Sequence, residues 1–179
     1  MIRARIARSI AVSAWVTSVR SGFVEIWRSR RNVDRAIDSL RLEKGYRAWS
    51  SDITPDETPF EAGLGFAVAL DKDVDFMGRE ALLAAKAAGP RKRMRCLVLD
   101  DPRSVCLGNE PVRVGGDVVG RVSSGGYGFA DERSIAYAYL PPDLAAIGTR
   151  GEVEVFGEWV GFEVAREPLY DPIGARIRA

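Results

Sequence analysis

The sequence predicts an α+β chain: a short helix and strand segment followed by an antiparallel jelly-roll or β-barrel C-terminal domain. Three observations predict it. Apolar residues fall at helical spacing only before residue 90. From Met94 onward, short apolar runs recur between turn residues, at 94–99, 111–114, 117–123, 134–140, 152–156 and 159–165. Glycine pairs punctuate these runs, and Gly115-Gly116 is the clearest hairpin signal among them.

The elements follow in order. Asn32 is placed to cap a helix, with Asp34 favourable in its first turn. Val33, Ile37 and Leu40 keep helical spacing, and Gly45 ends the run. Residues 50–59, SSDITPDETP, read as a polar loop. Leu64, Phe66, Val68 and Leu70 alternate with smaller residues, which predicts a strand with one buried face. Residues 78–88 are rich in Ala, Leu and Lys and predict a helix stopped by Gly89-Pro90. Beyond it the pattern leaves room for one helical turn near 142–146. The glycines of 123–128 read as turns, and Gly157-Glu158 as a further hairpin connection.

Composition excludes several functions. The 179 residues contain no histidine and two cysteines, Cys96 and Cys106. That rules out a Ser-His-Asp triad, a histidine metal ligand and a disulfide framework. Charge is uneven: residues 1–37 hold eight arginines against Glu25 and Asp34, so the near-neutral total joins a basic head to a mildly acidic body. The head (1–32) reads as an atypical, disordered or mis-started N-terminus, or as an organellar transit segment. Its apolar run, residues 10–16, is too short to span a bilayer. A basic tail without a known nucleic-acid-binding fold is weak evidence for a nucleic-acid partner, and none is expected. The expected compartment is cytoplasmic, with the mitochondrial matrix as the alternative.

The densest chemical cluster is RLEKGYRAW, residues 41–49. Once the helix breaks at Gly45, Tyr46 and Trp49 stand on an irregular segment and can stack on a flat ligand; otherwise they belong to a core. Arg41 and Arg47 can pair with carboxylates, and Glu43 can accept hydrogen bonds from an amino-pyrimidine ring. Asp52, Asp56, Glu57 and Glu61 read as a solvated acidic loop without a metal-binding pattern. Arg91, Lys92, Arg93 and Arg95 form a basic run able to meet a phosphate or polyglutamate tail, or to blunt a sheet edge. Cys96 reads as inert core, and Cys106 lacks a neighbouring base. No catalytic or metal-binding constellation emerges from the residues themselves.

Five ordered blocks carry a resemblance. SLRLEKGYRAW (39–49), TPFEAGLGFAV (58–68), FMGREAL (76–82), VSSGGYG with SIAYAYLP (122–128, 134–141) and EPLYDP (167–172) resemble those of the glycine cleavage T-protein, or aminomethyltransferase, superfamily. They are most similar to the folate-binding region of dimethylglycine and sarcosine dehydrogenases. The resemblance implies a partial folate-binding domain over 33–90 and a T-protein-like barrel over 91–179. It implies tetrahydrofolate as ligand, one-carbon transfer as activity, and FAD only on a separate upstream domain or polypeptide. It makes Tyr46 the leading folate contact. Arg41, Glu43, Trp49, Glu61 and Arg95 would line the pocket or hold it in place. The family's catalytic Asp belongs to a first domain for which this sequence shows no counterpart. The family's upstream pterin-holding Glu is not matched by Glu25, whose surroundings are degenerate. The iron–sulfur-linked branch is disfavoured, because Lys44-Gly45-Tyr46-Arg47 replaces its K-G-C-Y block. The expected function is therefore a fragment or split subunit of a folate-dependent aminomethyltransferase or N-methylglycine dehydrogenase. The competing expectation is a non-catalytic barrel module or the remnant of a disrupted gene.

Overall fold

A computed structural model describes residues 34–176 and 178. The expected cap at Asn32 and the basic head lie outside the described residues. The chain divides into two units, 1–37 and 38–179. Of the first, the described residues 34–37 are helical.

Helix α1, described over residues 34–44, closes as the sequence predicts. Gly45 takes a φ of 73°. Its N–H donates to Leu42 O at 3.2 Å, and the Tyr46 N–H donates to Arg41 O at 2.8 Å. This pair of bonds satisfies the last carbonyls of the helix and needs a left-handed residue at position 45. Helix α2 spans Arg79–Ala88 and stops at Gly89, as expected, but buries none of its residues.

The expected strand over 64–70 is absent. Gly65–Ala67 is a 3-10 turn, and its backbone bonds are local: Leu64 N–H to Pro59 O, Ala67 N–H to Leu64 O, Val68 N–H to Gly65 O. A strand needs a partner edge, and the neighbouring sheet offers none because it is closed. Phe66 consequently points outward, 87% exposed.

Six antiparallel strands form that closed barrel: β1 (Arg93–Leu99), β2 (Pro111–Val114), β3 (Asp117–Gly128), β4 (Arg133–Leu140), β5 (Arg150–Val155) and β6 (Glu158–Ala165). Their order around the barrel is β1-β4-β3-β2-β5-β6. The β2–β3 hairpin turns at Gly115-Gly116, with φ of 64° and 95°, as expected. The β5–β6 turn is Phe156-Gly157, one residue earlier than expected, because Glu158 already pairs with Val155. The anticipated helical turn is Pro142–Leu144.

The glycine run 123–128 belongs to β3 rather than to turns. These glycines admit close neighbours. A Cβ at Gly125 would stand 2.7 Å from both Cβ and O of Cys106, and one at Gly126 would stand 2.8 Å from Leu42 Cδ1. Inward residues such as Leu97, Val112, Val122, Leu140, Val153 and Phe162 fill the barrel. On the outer face of β1 and β4, Met94, Cys96, Ile135 and Tyr137 pack with Leu42 of α1. These two strands are thus covered on both sides, and they fix where α1 ends and where the segment after it begins.

Candidate functional site

The segment leaving α1 is tied to the barrel by one buried carboxylate. Asp52 Oδ2 accepts from Arg41 at 2.7 Å and from the Ala48 N–H at 2.9 Å. Asp52 Oδ1 accepts from Ser123 Oγ at 2.7 Å and from Ser124 Oγ. Its carbonyl accepts from Tyr139 Oη at 2.9 Å. Every lone-pair direction of a buried carboxylate is therefore used, which is the condition for burying the charge at tolerable cost. The expectation of a solvated acidic loop fails here and at Glu61: both side chains are buried. Glu61 Oε2 accepts from the Thr58 N–H and Oγ1, and Oε1 from the Arg91 N–H. Burial alone would raise its pKa, but these donors outweigh burial and lower it. Asp56 remains exposed, and Glu57 pairs with Lys92.

Beside this segment lies a cavity of about 490 Å3, lined by Lys44, Tyr46, Arg47, Ile53, Phe66 and Glu167 among others. Arg47 is its back wall. Its three nitrogens donate to Ala62 O at 3.2 Å, Gly45 O at 2.7 Å and Glu167 Oε1 at 2.8 Å. Its guanidinium stands 4.8 Å from the Tyr137 ring centroid. Burial would lower its pKa, but the bond to Glu167 holds it above the ordinary value. Glu167 Oε2 is buried without a hydrogen-bond partner among the described residues. Lys44 anchors to Asp171 at 3.2 Å.

The structure separates the sequence-predicted residues into two groups. Tyr46, 60% exposed, lines the cavity. Trp49, 67% exposed, stands outside its lining, bridged through its backbone to Ile53. Neither is a core residue. The other four are embedded in the scaffold. Arg41 bridges Asp38 and Asp52. Glu43 accepts from the Ala130 N–H, while its carbonyl takes the Tyr170 N–H. Glu61 closes the 58–61 turn onto residue 91. Arg95 donates to Ala145 O at 2.6 Å, and burial lowers its pKa. Sequence reasoning missed the buried role of Asp52 and the partnership of Glu167 with Arg47. The closing EPLYDP block held the second; no local signal marked the first. Both cysteines are buried, and burial pushes each thiol up to about 12, so neither is a nucleophile. Among the described residues, no group of His, Cys, Asp or Glu is placed to hold a metal, and no helix is long and apolar enough to cross a membrane.

The comparisons agree with this architecture. Residues 92–171 match the glycine cleavage T-protein C-terminal barrel domain, and residues 33–72 match the GCVT N-terminal domain. The rat mitochondrial dimethylglycine dehydrogenase is 40% identical over 145 residues, covering 80% of this chain and 17% of that protein. The human mitochondrial sarcosine dehydrogenase is 47% identical over 151 residues, covering 80% of this chain and 16% of that protein. The crystal structure of the glycine cleavage system aminomethyltransferase T from Bartonella henselae superposes with a TM-score of 0.71 at 30% identity. That likeness covers 76% of this chain and 38% of that one. The chain thus spans about a sixth of the length of these dehydrogenases. Through two matched stretches that together take in well over half of its residues, the chain belongs to the glycine cleavage T-protein family.

Proposed function

We propose that this chain is a fragment or split subunit of a folate-dependent aminomethyltransferase or of a dimethylglycine or sarcosine dehydrogenase-type protein. It contributes one wall of a tetrahydrofolate pocket. The observation that carries this reading is Tyr46: a half-exposed aromatic ring on a cavity wall, presented by a firmly terminated helix and by the Asp52 network. Tetrahydrofolate fits the residues present. Tyr46, Ile53 and Phe66 offer a flat ring apolar contact. Glu167 on the same wall has an oxygen without a donor, the chemistry that an N–H-rich ring satisfies. When bound, tetrahydrofolate supplies the nitrogen nucleophile that takes up a one-carbon unit.

Arg41, Glu43, Glu61 and Arg95 hold the pocket in place, while Trp49, outside the cavity lining, is exposed on the same segment. Residues 33–90 act as the partial folate-binding domain and 91–179 as the barrel domain, behind the basic head at 1–32. No residue of the cavity is assigned a catalytic role. FAD and the remaining pocket wall come from a partner polypeptide. The working compartment is cytoplasmic, or the mitochondrial matrix, since the named dehydrogenases are mitochondrial.

The test is folate-induced stabilisation of the full chain, alone and mixed with a polypeptide carrying the FAD and first folate domains. A melting temperature raised by tetrahydrofolate only in the mixture supports the split-subunit reading. Absence of any shift in both preparations overturns it in favour of a non-catalytic module.

A further inference from the structure

A larger cavity, of about 760 Å3, lies on the opposite side of the 50–54 loop. Ile53 lines the smaller cavity, whereas its neighbours Asp52 and Thr54 line this one. The walls also include the residues entering β1, the 107–109 loop and residues 119–123 of β3. Its volume falls within the range of small-molecule sites, roughly 300–1,000 Å3.

The lining carboxylates and cations differ in how far their hydrogen-bonding capacity is used. Both oxygens of Asp52 are filled by four donors. Glu57 Oε1 accepts from Lys92 at 2.8 Å, and Oε2 accepts from Thr54 N–H and Oγ1. The cations are open by contrast. Arg121 makes no hydrogen bond or ion pair among the described residues. Arg91 is 82% exposed in its side chain, and its one ionic contact is to Glu61 at 3.5 Å. Glu61 already has nearer donors in Thr58. Lys92 is positioned by Glu57 and by the Tyr139 ring, 4.4 Å from its centroid, and one hydrogen bond leaves two of its protons unused. Asp56, on the exposed loop, is the one lining carboxylate without a partner among the described residues. The cavity therefore presents unsatisfied charged donors against largely satisfied acceptors, with Leu107, Val119, Leu140 and Pro141 as apolar lining.

We propose that this cavity is an oxyanion site, distinct from the Tyr46 cavity, for a ligand carrying a carboxylate or phosphate on an apolar body. Arg91 and Arg121 anchor the oxyanion, and Lys92 supplies a third donor. The full chain is titrated by calorimetry with inorganic phosphate and, separately, with glutarate, at fixed ionic strength. Saturable binding of phosphate alone identifies a phosphate ligand; saturable binding of glutarate identifies a carboxylate. The double variant Arg91→Ala/Arg121→Ala weakens that binding by about tenfold or more. The length-conserving Arg121→Gln weakens it in the same direction. Arg103→Ala, which removes an exposed guanidinium paired with Asp101, leaves it unchanged. So does Tyr46→Ala, which keeps this result separate from the fate of the folate reading. No saturable binding of either anion, or equal binding by the double variant, overturns the proposal.

Discussion

The barrel and the segment that precedes it are held together by different physics. In the barrel every strand has two hydrogen-bonded neighbours, and its interior is apolar. Its buried polar side chains are the hydroxyls Ser124 and Ser134. Between residues 38 and 90 the buried side chains include three carboxylates: Glu43, which accepts from the Ala130 N–H, and Asp52 and Glu61, whose oxygens each take several donors. The barrel closes on itself. The segment is shaped by point attachments and leaves Tyr46, Trp49 and Phe66 exposed. A closed barrel thus carries a pinned segment that leaves aromatic rings exposed beside a cavity.

Removing the central pin should have the largest effect on this contrast. Asp52→Ala leaves the Arg41 charge and the Ser123 and Ser124 hydroxyls without their shared acceptor. A loss of about 3–5 kcal/mol is expected, read as a lower midpoint in urea unfolding. Hydrogen exchange should localise the opening to residues 41–54, with β4 amides still protected. Equal loss of protection in β4 would show that the two regions are one cooperative unit.

Overpacking the barrel comes next. Gly125→Ala forces a methyl against the Cys106 backbone at 2.7 Å and should cost about 1–3 kcal/mol. Here protection should fall in β3 and β4 first. A neutral substitution would mean that the 104–108 loop yields freely.

Acid should separate the regions more gently. The Glu57 and Glu61 pKa values both lie below their ordinary value of 4.5, because hydrogen bonds outweigh burial. Their stabilising contribution is complete above that value and is lost as pH falls through the lower folded-state values. Amide exchange at residues 54–61 should rise in that window before exchange in β1 and β4. Simultaneous opening would contradict the idea that these carboxylates pin the segment rather than the barrel.

The smallest effect concerns stability at Tyr46. Its ring is largely exposed, so Tyr46→Ala should shift the unfolding midpoint by less than about 0.5 kcal/mol. A larger loss would assign the ring to the fold rather than to the cavity.

The same contrast explains what the sequence revealed. Each barrel run is a short apolar stretch between turn residues, and Gly115-Gly116 turns where it was expected. The helix stops at Gly45 and Gly89 were equally legible, because both are local backbone chemistry. The glycines of β3 were not: they serve the approach of Cys106 and Leu42, which no local pattern records. Asp52 looked like a loop acid because the serines that bury it lie 71 and 72 residues away. The 64–70 alternation has strand periodicity, yet no open edge exists for it to join. At the candidate site, Tyr46 and the Arg47–carboxylate pairing were foreseeable from RLEKGYRAW; the choice of Glu167 as partner depended on tertiary packing.

The central claim is that Tyr46 forms part of a tetrahydrofolate-binding wall. It is tested most directly by calorimetric titration of tetrahydrofolate into the chain mixed with a polypeptide carrying the FAD and first folate domains, comparing the native sequence with Tyr46→Ala. The account predicts affinity weakened by about 1–3 kcal/mol with unfolding stability retained. Unchanged affinity would contradict it.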